Sequence, residues 1–242
     1  MDLIFVSGAS SGIGSALNAH LSALHGVTVA TFSRSDVDSD HHFGVDLADP
    51  ASWDGVSRWM GSVADRVRPD SLGLFHCAAT LDPIGFAGEV DAARYASNVV
   101  LNSASPQVLG DRFIALAKRL DLPAVLVQIS SGASAKPYPG WSAYCAAKAA
   151  VDHWTRTVGQ ELEVRGEPIT VISVAPGVVD TPMQDGIRDL DEADFPNVQR
   201  FRDLKSEGIL RSPEVVAREL WDLFRRPDLA NGAVLDLRDQ SQ

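Results

Sequence analysis

The chain has 242 residues, with 32 Asp or Glu against 21 Lys or Arg and a formal net charge of −11. A field of that sign repels phosphate backbones and anionic lipid, and no apolar run approaches the roughly 18 residues needed to cross a bilayer, so nucleic-acid and membrane partners are disfavoured. The length suits one α/β domain around a single core.

In chain order, short and mostly continuous apolar runs at residues 3–6, 27–32, 43–45, 72–76, 124–129, 170–174 and 233–237 read as strands buried on both faces. Amphipathic stretches at 12–25, 50–66, 91–118, 142–165 and 213–225 read as the helices between them. This alternation predicts one Rossmann-type, doubly wound parallel sheet of about seven strands, flanked by helices. The segment 182–210 breaks the pattern. It is long and weakly periodic, and reads as a substrate loop, with a surface helix pair as the blander alternative. Residues 1–6 look like a strand and lack the basic n-region of a secretory signal, so a cytoplasmic address is expected. The two cysteines, Cys77 and Cys145, belong to no C-x-x-C pair, which implies reduced thiols and no metal site. His41 and His42 read as a solvated loop, and Trp53 and Trp59 as core.

Chemistry concentrates in three places. The first strand runs into Gly8-Ala9-Ser10-Ser11-Gly12-Ile13-Gly14 and then a helix. Glycines there permit a tight turn and close approach of backbone to a pyrophosphate, which the helix N-terminus then holds. The second strand ends at Ser33-Arg34. An NAD-selecting site usually has a carboxylate at this place for the ribose hydroxyls, whereas a guanidinium suits the 2′-phosphate of NADP. The cofactor expected is therefore NADP(H).

Ser131 ends the fifth strand, and Tyr144 and Lys148, four residues apart, open the following helix on one face. A free phenol, with a pKa of about 10, is too weak an acid to exchange protons well near neutrality. The Lys148 cation, with the positive charge of an oxidised nicotinamide ring, is expected to lower it. Ser131 can then hydrogen-bond a substrate carbonyl while Tyr144 protonates it. Trp141, in the loop before Tyr144, supplies an apolar wall for the substrate.

With these residues in place, the chain resembles the short-chain dehydrogenase/reductase family over residues 1–242. The resemblance implies that Ser131, Tyr144 and Lys148 are catalytic, that Asn102 helps hold a proton-relay water, and that Lys148 also binds the nicotinamide ribose. It implies that Asp46 and Leu47 contact adenine, and that Pro176, Gly177, Val179 and Thr181 belong to the segment packed on the nicotinamide. The family's Asn-Asn-Ala-Gly after the fourth strand is replaced by His76-Cys77-Ala78-Ala79. Ala78 is expected to keep its cofactor contact, and His76 and Cys77 to be buried strand residues.

Within the family the likeness is greatest to sepiapterin and benzil reductases, in residues 79–84, 176–184, 204–208 and 231–236. This likeness places Met183 in the substrate site and makes Asp236 a candidate anchor for substrate. It further implies a homodimer or homotetramer acting on a small-molecule carbonyl, a ketone or 1,2-diketone. A 3-oxoacyl or hydroxysteroid reductase, or a non-catalytic NADP(H)-binding sensor, remains as the alternative.

Overall fold

The computed structural model of the protein describes residues 1–240. Seven strands form one sheet in the order β3-β2-β1-β4-β5-β6-β7, with every neighbouring pair parallel. The strands are β1 (Asp2–Ser7), β2 (Val27–Ser33), β3 (His42–Gly44), β4 (Ser71–His76), β5 (Ala124–Ile129), β6 (Ile169–Ala175) and β7 (Val234–Asp236). The central strands are buried almost throughout, which is why they read as unbroken apolar runs rather than alternating ones. The expected sheet and its strand positions are found.

Helices cover both faces. Residues of α2 (Trp53–Val67), α4 (Ser105–Leu120) and the end of α5 (Ser142–Arg165) pack on one face around Phe5, Phe113 and Leu126. On the other face α1 (Gly12–Ser22) and α8 (Pro213–Phe224) pack around Ile4, Phe75 and Val174. Trp59 touches Phe5, Phe32 and Phe43 as a core ring, as its helical spacing implies. The strand order reverses direction between β1 and β4, so a crevice opens at their carboxyl ends, where open α/β sheets bind ligands.

Two expectations are corrected, and for residues 182–210 the helix-pair alternative is the one found. The helix expected over 91–118 is divided into α3 (Ala92–Val99), a π-helical turn at Val100–Ala104, and α4. Pro106 has no N–H to give the Asn102 carbonyl four residues back, so the α register cannot run through this point. Residues 182–210 are not a plain loop but carry α6 (Pro182–Arg188) and α7 (Val198–Ser206). Ile187, Phe195, Val198 and Phe201 from this segment join Leu81, Trp141 and Tyr144 in a third apolar cluster beyond the sheet. His42 begins β3, with Nδ1 2.9 Å from the Thr31 hydroxyl, rather than lying in a solvated loop.

Candidate active site

One cleft runs along the carboxyl ends of the strands, and its wall contains Gly8, Ser10, Ser11, Gly12, Ile13 and Gly14 from the first turn. Gly8 has φ +64°, and a Cβ there would lie 2.8 Å from the backbone N and Cα of Ala78. A Cβ on Gly14 would collide with the Gly8 carbonyl. The turn is therefore closed by backbone against backbone, leaving the start of α1 open to a phosphate. The Ser7 hydroxyl accepts hydrogen bonds from the N–H groups of Cys77 (2.9 Å) and Ala78 (3.1 Å), locking the end of β4 against this turn.

Ser33 and Arg34 reach the same cleft at the end of β2. The Ser33 hydroxyl donates to the Ser35 carbonyl at 2.8 Å. Arg34 forms no ion pair with any described carboxylate. Asp46, Leu47, Ala78, Pro176, Gly177, Val179 and Thr181 also lie on the wall. The 176–181 segment is stapled from outside: the Arg211 guanidinium donates to the Pro176 carbonyl at 3.0 Å, and the backbones of Val178 and Asp180 pair with that of Arg211. Sequence reasoning missed Arg211, because its partner lies 35 residues away.

Tyr144 and Lys148, on the first turns of α5, meet Ser131 on the cleft wall. Both α5 side chains are buried, and the Lys148 ammonium lies 5.7 Å from the Tyr144 ring centroid. Its Nζ donates to the Ile129 carbonyl at 2.7 Å. Burial lowers Lys148 to a pKa of about 8, against the raising effect of Asp152 and Cys77. The phenol goes the other way. Burial pushes Tyr144 up to about 12, with the nearby Ser131 hydroxyl pulling it back. The lowering expected from Lys148 is not found in the protein: desolvation of the phenolate dominates, and the opposing effect is that of Ser131. Ser131 also accepts from the Ala133 N–H at 3.1 Å, which fixes its side chain at the start of a 3-10 turn.

Asn102 is fully buried and does not reach the cleft wall. Its amide accepts from the Thr80 N–H (3.0 Å) and donates to the Thr80 carbonyl (2.7 Å) and to Asn98 Oδ1 (2.8 Å). Its side chain therefore clamps the 78–82 stretch behind the cleft. Cys77 lines the cleft, while His76 is buried at the end of β4.

The far end of the cleft is aromatic and apolar. Trp141 and Met183 are there as expected, joined by Leu81, Tyr138, Gln184, Ile187, Arg200 and Phe201. Tyr138 shares the loop of Trp141, Leu81 follows β4, and the other four lie in the 182–210 segment expected to meet the substrate, although the sequence did not single out those four individually. Trp141 stacks on Phe195 with centroids 4.6 Å apart and meets the Tyr144 ring edge-on at 5.9 Å. Asp236 lies on the wall, but its carboxylate accepts from Arg238 Nε at 2.8 Å, so it has a partner within the chain.

A parallel sheet with a glycine turn at its switch point and a Ser–Tyr–Lys group facing it defines a nucleotide-dependent oxidoreductase. The chain belongs to the short-chain dehydrogenase family, whose model matches residues 2–192, and it is an oxidoreductase acting on carbonyl or alcohol groups. It is 35% identical over 244 residues to a benzil reductase ((S)-benzoin forming) of Bacillus subtilis, covering 99% of each chain. It is 30% identical to a sepiapterin reductase of Mus musculus, covering 97% of this chain and 95% of that one. Among solved structures, a short-chain dehydrogenase/reductase from Saccharomyces cerevisiae superposes with a TM-score of 0.85 at 26% identity, covering 99% and 97% of the two chains.

Proposed function

We propose that the protein is an NADPH-dependent reductase of a ketone or 1,2-diketone carbonyl, with Tyr144 as the general acid. The observation carrying this reading is the meeting of Tyr144, Ser131 and Lys148 on the wall of a cleft whose other end is the glycine turn. The cradle suits a dinucleotide, because Gly8 packs on the Ala78 backbone and Gly14 on the Gly8 carbonyl, a closed turn that leaves the N–H groups at the start of α1 facing the cleft for a pyrophosphate. Gly8 through Gly14, Asp46, Leu47, Ala78 and the 176–181 segment would hold it, with Lys148 on the ribose. Arg34, without a carboxylate partner, favours NADP. When bound, NADPH supplies the hydride.

The chain's own groups do the rest. Ser131 donates a hydrogen bond to the substrate carbonyl and orients it. Tyr144 passes its phenolic proton to the same oxygen as negative charge develops there. Burial holds the phenol at about 12, protonated at neutral pH but a weaker acid than free tyrosine, so proton transfer depends on groups that stabilise the phenolate as it forms. Lys148 then stabilises the phenolate until it is reprotonated. Asn102, through its hold on Thr80, keeps the 78–82 stretch against the cleft.

The aromatic wall and the similarity to benzil and sepiapterin reductases support a flat, conjugated substrate. The site residues alone are equally compatible with a 3-oxoacyl or hydroxysteroid reductase. The deciding experiment mixes protein and NADPH with benzil, sepiapterin, a 3-oxosteroid and a 3-oxoacyl thioester, and follows loss of dihydronicotinamide absorbance. Turnover of the diketone is expected. Preference for the thioester or steroid would move the assignment to that class. NADPH binding with no oxidation by any carbonyl would make the protein a sensor.

A further inference from the structure

The cleft is basic on an acidic molecule. The chain has a formal charge of −11, yet the charged side chains on the cleft wall are Arg34, Lys148, Arg200 and Arg238 against Asp46 and Asp236. Asp236 is committed to Arg238, accepting from its Nε at 2.8 Å, and Lys148 donates to the Ile129 carbonyl inside the site. Arg34 and Arg200 form no ion pair with any described carboxylate. They stand at opposite ends: Arg34 follows β2, and Arg200 lies on α7 beside Phe201, at the apolar end.

The exposed Arg200 side chain has one partner, the Tyr138 hydroxyl, to which Nη1 donates at 3.2 Å. The Tyr138 ring is held by Trp141 and Phe201, with centroids 5.0 and 6.3 Å away, so its hydroxyl is fixed at the cleft mouth. That hydroxyl accepts from Arg200, which leaves its own proton to be donated, and the other N–H groups of Arg200 have no acceptor in the protein. A fixed phenolic O–H beside a guanidinium with unused N–H groups offers donors only. Such a pair suits a negatively charged acceptor and gives nothing to a cation or an apolar edge.

We propose that Arg200 and Tyr138 bind a carboxylate carried on the aromatic body of the substrate, so that the enzyme acts on aryl ketones or diketones that are also acids. This rests on the reductase reading above and adds the substrate's charge to it. Trp141 touches both phenols, meeting Tyr144 at 5.9 Å as well as Tyr138. The substrate ring lies along this aromatic surface with its carbonyl at Tyr144 and its carboxylate toward the mouth. There the anion keeps part of its hydration, so one guanidinium and one phenol suffice to hold it. The basic wall also gathers an anion that the molecule as a whole repels.

The test uses 1-phenylpropane-1,2-dione bearing a carboxylate at the para position of the ring, and the methyl ester of the same compound. The two share ring and carbonyls and differ in charge. Wild-type protein, Arg200→Met, Arg200→Lys and Tyr138→Phe are compared by kcat/KM on both, with NADPH Kd and thermal unfolding. Wild type is expected to prefer the carboxylate about tenfold, the worth of one charge-assisted contact at an exposed rim. Arg200→Met brings that ratio to about one by raising KM for the carboxylate, Arg200→Lys restores part of it, and Tyr138→Phe lowers it about threefold. Added salt narrows the preference of the wild type and not that of Arg200→Met. NADPH Kd and Tm are the same throughout. Wild-type protein that treats the two compounds alike or favours the ester, or an Arg200→Met variant that loses equally on both, overturns the anion site. Wild-type protein that reduces neither compound nor any other carbonyl overturns instead the reductase reading on which it rests.

Discussion

At one end of the cleft the wall is backbone. Gly8, Gly12 and Gly14 shape its turn, Ser7 locks the neighbouring strand end, and the rest comes from short stretches at the carboxyl ends of the strands. At the other end the wall is side chains: Trp141, Met183 and Phe201, with Phe195 stacked behind Trp141, meet only when the α6–α7 segment folds over the sheet. A ligand common to many proteins can be held by a short stretch with fixed backbone geometry. A ligand particular to one protein is chosen by a surface that no short stretch encodes. Tyr144 stands where the two ends meet, and changes on either side of it should separate their contributions.

The largest effect belongs to the meeting point. Tyr144→Phe keeps the ring that meets Trp141 and removes only the proton, so kcat should fall by about a thousandfold, near 4 kcal/mol. NADPH titration of the variant should give an unchanged Kd. Substantial turnover in a stopped assay would show that the proton comes from elsewhere.

Next comes the backbone end. Gly14→Ala sets a methyl against the Gly8 carbonyl, which cannot move without displacing the turn. NADPH affinity should weaken about a hundredfold, roughly 3 kcal/mol, and a calorimetric Kd near that of the wild type would mean that the turn is not the pyrophosphate cradle. Arg34→Ala should act more narrowly. Losing one charge-assisted contact to a phosphate corresponds to about 2 kcal/mol, seen as a raised NADPH KM with the NADH KM nearly unchanged. Equal changes for both cofactors would make Arg34 an ordinary surface charge.

This contrast also explains what could be read from the amino acids. The sheet was legible because strands buried on both faces leave unbroken apolar runs, and α5 was found at its observed limits, 142–165. The glycine turn, Ser131, Tyr144 and Lys148 were legible because their chemistry depends on spacing along the chain. Arg211, which staples the 176–181 segment from outside, was not, and within the expected 182–210 substrate segment the residues that face the cleft, Gln184, Ile187 and Phe201, were set only by packing that a linear pattern does not record. The π turn could have been inferred from Pro106, four residues after Asn102. The sign of the Tyr144 shift could not: charges can be counted from sequence, but desolvation depends on how completely Trp141 and the α6–α7 segment close over the phenol.

The smallest expected effect lies at the seam, at the end of β4. His76 is buried, neither ring nitrogen has a partner, and burial followed by the Lys148 charge drives its pKa down from 6.5 to about 3. Between those values the unfolded chain binds a proton that the folded chain refuses, so stability falls as pH drops below about 6.5. At about pH 5.5 this amounts to about 1.4 kcal/mol relative to neutrality. His76→Asn, which restores the residue found in the resembling family pattern, removes the titration and should flatten the acid limb of a urea-unfolding series by that amount. Because Lys148 contributes to the shift, Lys148→Met should flatten the limb less than His76→Asn does. A series in which His76→Asn changes nothing between neutral and mildly acidic pH would mean that water reaches the imidazole, and that the seam between the two ends of the cleft is open rather than packed.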